Sequence, residues 1–253
     1  LKILDLNIRA NQPFSYGNST LVFNGEIYNY LELRQVLIDK GDIFKTESDT
    51  EVLLKLLIRE GKNALKLLNG MFSFLFHDRK KNEWIAARDH FGIKPLYYAN
   101  TNNEELIFAS EIKAILNHPK MNIERDNSAL QEYLAFQFCL DNKTLFKGVS
   151  KIKPGHYIIG SGTKIINEVC YWDTDYNIDQ NHSETWFKKQ LKSLLQNSIK
   201  MQIRSDVPIG GYLSGGIDSS LVCSLAANYL KKPMPMFHGR FTNGPEFDES
   251  YYA

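Results

Sequence analysis

Two short stretches of this sequence carry residue types that could do chemistry. The first is Leu213-Ser214-Gly215-Gly216-Ile217-Asp218-Ser219-Ser220. Two adjacent glycines let main chain approach a ligand with no Cβ in the way. Serine hydroxyls and the free N–H groups that open a following helix then present donors to an anion. The pyrophosphate of a nucleotide suits such a cradle. Neither G-x-x-x-x-G-K-[ST] nor G-x-G-x-x-G occurs, so the stretch is neither a Walker loop nor a dinucleotide fingerprint. The plain alternative is a tight strand-to-helix turn with Ser219 as its cap. The second stretch is Asn24-Gly25-Glu26-Ile27-Tyr28-Asn29. An Asn side-chain N–H beside a glycine backbone N–H could form an oxyanion hole for acyl transfer, each donor worth on the order of 10²–10³ in rate. Its alternative is an Asn-Gly hairpin turn where a strand ends.

The elements that must position these stretches follow from patterning. Residues 21–23 read as a buried strand ending at Asn24-Gly25, and residues 30–40 as a helix stopped by Gly41. Ser48-Asp49-Thr50-Glu51 has the form of a capping box before an apolar run over 52–58. Residues 71–76 and 84–87 predict one strand pair, 96–98 and 106–109 a second, and a third hairpin turns around Ser161-Gly162. Strands with a few helices predict stacked sheets between helices. Residues 173–183, rich in Asp and Asn, read as a linker. Residues 184–204 then place Trp186, Phe187, Leu191, Leu194, Leu195 and Ile199 on one helical face. A strand over 207–213, a loop over 214–219, a helix over 220–230 and a strand over 234–241 predict the start of a parallel α/β sheet.

Composition narrows the partners. With 43% apolar and 23% charged residues, the 253-residue chain is of ordinary globular type. A net charge of +1 gives no electrostatic reason to expect nucleic acid or an anionic membrane. No apolar run approaches the roughly 18–20 residues of a spanning helix, and no signal segment opens the chain. Cys139, Cys170 and Cys223 are far apart and odd in number, with no C-x-x-C pair, which argues against zinc and disulfides and for reduced thiols in the cytoplasm.

The loop at 213–220 resembles, residue by residue, the SGGxDSS loop of N-type ATP pyrophosphatases. Asn24 to Asn29, Ser48-Asp49, Gly70-Met71-Phe72, the run from Arg88 to Tyr97, and Phe108-Ala109-Ser110-Glu111 resemble, in that order, the class II glutaminase domain of asparagine synthetases. The resemblance implies two domains. Residues 1–175 would be an α+β N-terminal-nucleophile glutaminase without its start, and 184–253 the beginning of an α/β ATP pyrophosphatase. It further implies that glutamine is hydrolysed to ammonia, and that ATP with Mg²⁺ adenylates the aspartate β-carboxylate for amidation, releasing AMP and pyrophosphate.

By the same resemblance Asn24 and Gly25 form the oxyanion hole, and Glu26 and Asp49 hold the α-amino end of glutamine. Ile3 and Leu4 contribute backbone contacts after an arginine that would precede Leu1. Asp49 can also serve as a first-turn acid complementing the helix dipole. ATP would be held by Leu213, Ser214, Gly215, Gly216, Asp218, Ser219, Ser220 and, more weakly, Gly239, with Mg²⁺ on Asp218. Arg88 and Asp89 read as a structural pair, and His77 and His90 as packing or surface residues. The family nucleophile is an N-terminal cysteine acting with its own α-amine. Internal Cys139, Cys170 and Cys223 cannot take that role, so the chain as it stands is expected to hydrolyse neither glutamine nor ATP. The family often forms homodimers. Two rival readings keep the resemblance: an amidotransferase acting on a sugar-acid or polysaccharide-precursor carboxylate, and an inactive relative that binds nucleotide or glutamine.

Overall fold

The computed structural model describes residues 3–101, 105–230, 233–240, 244, 248 and 250–253. The chain divides into two compact units, Leu1–Asp175 and Tyr176–Ala253.

In chain order the first unit contains a 3-10 turn at Ile8–Ala10, β1 (Phe14–Tyr16), β2 (Ser19–Ile27), α1 (Tyr30–Asp39), α2 (Asp49–Glu60) and a 3-10 segment at Gly61–Leu67. There follow β3 (Gly70–Asp78), β4 (Glu83–Arg88), β5 (Tyr97–Thr101), β6 (Glu105–Ala109), α3 (Ile112–Leu116), α4 (Asn127–Phe136), β7 (Val149–Lys151), β8 (His156–Ser161) and β9 (Lys164–Cys170). Strands β1-β2-β3-β4-β8-β9 form a six-stranded sheet and β6-β5-β7 a three-stranded one, and every named pairing in both is antiparallel.

Period-two alternation sorts the strand side chains into layers. Leu21, Phe23, Phe72, Phe74, Phe76, Ala87 and Tyr157 face α1 and α2, where Leu33, Leu37, Val52, Leu53 and Leu56 complete the largest core. The opposite face of the same sheet presents Leu75, Trp84, Ala86 and Ile158 to Tyr98, Leu106 and Phe108 of the smaller sheet. The far side of that sheet turns Tyr97, Ala99, Ile107 and Ala109 toward Ile112, Ile115 and Leu116 of α3. The result is helix, sheet, sheet, helix, the stacked arrangement that the sequence predicts. Each fully buried Leu or Phe contributes about 1.5–3 kcal/mol to these layers.

The second unit holds α5 (Glu184–Gln202), β10 (Gly211–Tyr212), α6 (Ile217–Leu230) and β11 (Met236–Phe237). Strands β10 and β11 run parallel on either side of α6, which is the first βαβ step of a parallel sheet.

Several expectations need correction. Asn24 and Gly25 lie inside β2, opposite Ser73 and Phe72, and not at a turn. A Cβ at Gly25 (φ 151°) would collide with the Met71 carbonyl, and one at Gly70 with that of Glu26. The two strands here approach main chain to main chain, which only glycine permits. The strand expected at 207–213 shrinks to Gly211–Tyr212, because Ser205 Oγ takes the Val207 N–H at 3.1 Å and Pro208 has no N–H to give. That at 234–241 shrinks to Met236–Phe237, Pro235 likewise lacking a ladder donor, and Phe241 lies outside the described residues. Helix α6 begins at Ile217 and not 220, so Asp218 and Ser219 sit in its first turn. On α5 the predicted apolar stripe is largely exposed at Trp186, Phe187, Leu191 and Leu194, and only Ile199 is buried.

Candidate functional site

The edge of β2 builds the first site. Alternation along a strand sends the N–H groups of Phe23, Gly25 and Ile27 to one side. Tyr28 N–H, one residue out of phase, goes the other way and donates to Asn69 O at 2.8 Å. On the first side β1 pairs with β2 only as far as Leu21. Beyond it the Phe23 N–H donates to Gln12 Oε1 at 2.5 Å, and the Ile27 N–H donates to Asp49 Oδ2 at 3.0 Å. Gly25 N–H lies between these two anchors, where among the described residues no strand pairs with it.

A cavity of about 290 Å³ opens along this edge, walled by Ile3, Leu4, Phe23 and Gly25 and by the polar side chains of Asn11, Gln12, Glu26, Asp49 and Thr50. Asp49 opens α2, one residue after Ser48, whose hydroxyl caps the helix by accepting from Glu51 N. The reverse half of the expected capping box is absent. Glu51 instead accepts from the N–H groups of Lys45 and Thr46, so it fastens the loop before the helix. Burial raises the Asp49 pKa to about 6 against the lowering effect of the Ile27 and Thr50 amides. Burial, and then the charge of Asp49, raise that of Glu26 to about 7, while Lys94 pulls it down. Two buried carboxylates sharing a small cavity could pair with an ammonium group, whose charge would favour their ionised forms.

Asn24 does not join that cavity. Its Nδ2 donates to Ser110 Oγ at 3.2 Å, and it lines a separate space of about 190 Å³ between the sheets, with Ser73, Leu96, Phe108 and Ser110. Ser73 Oγ is buried there without a hydrogen-bond partner among the described residues.

Arg88 and Asp89 are structural, but through main chain. Arg88 donates to the carbonyls of Gly92, Lys94 and Ile152, and Asp89 accepts from the N–H groups of Phe72, Phe91, Ile93 and Lys94 at 2.9–3.1 Å. His90 packs edge-on against Phe72, Tyr171 and Trp172, and burial lowers its pKa. His77 is a β3 residue opposite Thr20 and Trp84.

The second site is the loop between β10 and α6. Ser219 is not a cap. From the first helical turn its Oγ accepts from Ser214 N at 3.2 Å and donates to Gly216 O at 3.1 Å, closing the loop into a ring. Leu213 N donates to Phe237 O, and Leu213 O meets His238 Nδ1 at 2.8 Å. Ser214, Gly216 and Asp218 are exposed, as is Gly239, whose would-be Cβ meets nothing within 4 Å. Among the described residues no group of three or more His, Cys, Asp or Glu gathers to hold a metal. Asp218 therefore offers a single carboxylate, which suits Mg²⁺ only in company with substrate phosphates.

Comparison with known proteins bears on the first site. A family model described as a glutamine amidotransferase domain matches residues 1–172. The chain belongs to this amidotransferase family. Beyond the amidotransferase domain, a model described as asparagine synthase matches residues 190–253. Asparagine synthetase [glutamine-hydrolyzing] 1 of Bacillus subtilis is 40% identical over 90% of this chain and 36% of its own length. A putative asparagine synthetase [glutamine-hydrolyzing] 2 of Methanocaldococcus jannaschii is 35% identical, over 90% of this chain and 47% of its own. Amidase chry2 of Gibberella zeae is 34% identical, over 92% and 34%. The chain thus spans less than half the length of each of these relatives.

Sequence reasoning on the amidotransferase domain missed Gln12, whose side chain reaches β2 from eleven residues away. A Gln immediately before a Pro, next to a short strand, was the available signal. It also missed Lys55, buried in α2 with its ammonium 3.9 Å from the Tyr16 ring centroid and 3.9 Å from Glu51 Oε1. No described helix is long and apolar enough to cross a membrane.

Proposed function

We propose that the chain is the glutaminase half and the start of the ATP-using half of a glutamine-dependent asparagine synthetase. The observation that carries the reading is the β2 edge: Gly25 N–H, unpaired among the described residues, flanked by a cavity with two buried carboxylates. Successive same-side N–H groups on a strand are roughly 6.6 Å apart. That interval suits an amino acid whose ammonium rests on Asp49 and Glu26 while its side-chain carboxamide oxygen faces Gly25. Ile3 and Leu4 would add backbone contacts. Gly25 N–H would stabilise the oxyanion as the amide is opened, and Asn24 would join it only by leaving Ser110.

In the second unit the main chain from Leu213 to Ser220 would receive the phosphates of ATP. Ser214 and Ser219 would exchange their mutual bond for the anion, and Gly239 would lie beside the nucleotide. Asp218 would hold Mg²⁺, which would neutralise charge on the leaving pyrophosphate. ATP activation of the aspartate β-carboxylate gives ammonia a good leaving group to displace, and a cytoplasmic setting and homodimeric assembly belong to the same proposal.

The test is an assay of the full-length form for AMP and pyrophosphate release, dependent on glutamine, across aspartate and other carboxylic acids. Asparagine formed with AMP is the expected result. ADP and orthophosphate in their place would overturn the mechanism. A second reading changes only the acceptor, to a sugar acid or another carboxylate. It is favoured by the sequence Phe237-His238-Gly239-Arg240-Phe241, which differs from the stretch usual in the family it resembles, and by an amidase among the relatives.

A further inference from the structure

The short parallel ladder of the second unit stops one rung before its register requires. In a parallel pair, a residue's N–H and C=O bond to the two residues that flank its opposite number on the partner strand. Gly211 stands opposite Met236, and Tyr212 opposite Phe237. Accordingly Gly211 N donates to Pro235 O, and Leu213 N to Phe237 O, both at 2.9 Å. That register sets Leu213 opposite His238, so the Leu213 carbonyl is due the N–H of Gly239.

It receives a side chain in its place. His238 Nδ1 lies 2.8 Å from Leu213 O. A carbonyl only accepts, so Nδ1 carries the hydrogen and donates. The other ring nitrogen, Nε2, is buried without a hydrogen-bond partner among the described residues, so the ring is held through Nδ1. Gly239 is exposed, and its N–H has no partner among the described residues. Leu213 leads directly into Ser214-Gly215-Gly216, so this exchange of donors takes place at the mouth of the loop before α6.

We infer that His238 is a positioning residue for the nucleotide: by capping Leu213 O, it keeps the Gly239 N–H out of the sheet and free to donate to bound ATP. This takes the loop before α6 to be the ATP site proposed above. Removing the imidazole lets the Gly239 N–H close the missing rung. The ladder then lengthens while nucleotide is held less well, a pairing of effects that a merely structural side chain would not produce.

The experiment reads both effects in the 253-residue protein. Exchange of the Gly239 amide is followed by NMR on protein carrying isotope-labelled glycine, and ATP affinity by calorimetric titration with Mg²⁺ present. The Gly239 resonance is identified by its loss in Gly239→Ala, where a Cβ meets nothing within 4 Å. In His238→Ala, Gly239 exchange should slow by about threefold or more. ATP affinity should fall by about the same factor, the scale of one neutral hydrogen bond gained in the sheet and lost to the ligand. His238→Asn, whose Nδ2 hangs from the same carbon as Nδ1 and can donate to the same carbonyl, should restore both to within about twofold. Unslowed Gly239 exchange or unchanged ATP affinity in His238→Ala would overturn the inference, as would a loss of affinity that His238→Asn fails to restore. Failure of the unsubstituted protein to bind ATP would remove the nucleotide reading and the inference with it. Should His238→Ala unfold, His238→Gln serves, because its donor lies one bond farther out: effects in Gln that are absent in Asn support the proposal, and equal behaviour of the two sinks it.

Discussion

The cavity on β2 and the loop before α6 are both candidate binding sites made largely of main chain, but they are held in opposite ways. Around the cavity, Gly25 is packed against the main chain of β3, Asp49 and Glu26 are buried, and neighbouring N–H groups are anchored by side chains. Around the loop, Ser214, Gly216 and Asp218 are exposed, and the serines bond mainly to one another. A buried site selects by geometry and by perturbed protonation. An exposed helix start offers an anion its unpaired N–H groups, with selection left to whatever else surrounds it.

The same substitution should expose this difference most sharply. Gly25→Ala drives a methyl into the Met71 carbonyl and should cost more than about 4 kcal/mol, read from urea denaturation. Gly216→Ala, whose Cβ would sit 3.5 Å from Ser214 Oγ, should change stability by no more than about 0.5 kcal/mol. Comparable losses at both would erase the contrast. Next in size, Asp89→Ala strips one acceptor from four N–H groups and should destabilise by about 3 kcal/mol on the same measurement.

A pH series is subtler. Glu26 and Asp49 hold their protons more tightly in the native protein than in the unfolded chain. Stability should therefore be highest below their ordinary values, 4.5 and 3.8, and decline as pH rises toward about 7 and about 6. Glutamine affinity should move the other way over that window, because an ammonium needs ionised partners. Melting temperatures of Glu26→Gln and Asp49→Asn forms that decline as steeply as the parent's would count against this assignment. The smallest structural effect is expected from Asp218→Ala, within about 0.5 kcal/mol by thermal melting, since the side chain is exposed. Its nucleotide turnover in the full-length form should nonetheless be lost.

Much of the first unit was legible because its signals are local. Ser48 before α2, the turn between β3 and β4, and the alternating residues of β5 and β6 each announce themselves within a few positions. Asn24-Gly25 misled because a local turn signal was overruled by pairing across to Ser73 and Phe72. Gln12 was invisible because its role is to stand in for a strand, which only the folded sheet defines. On α5 the periodicity correctly marked a face, but periodicity carries no information about whether anything covers it. Before α6 the sequence predicts too short a helix, since Asp218 and Ser219 are poor interior helix formers that a first turn accepts readily.

The close main-chain contact at Gly25 carries a consequence for how this protein can diversify. At that position any side chain would run into the Met71 carbonyl, so mutation cannot sculpt that part of the cavity wall without breaking the sheet. Any change of ligand preference is channelled to the side chains that line the rest of the cavity, such as Ile3 and Asn11.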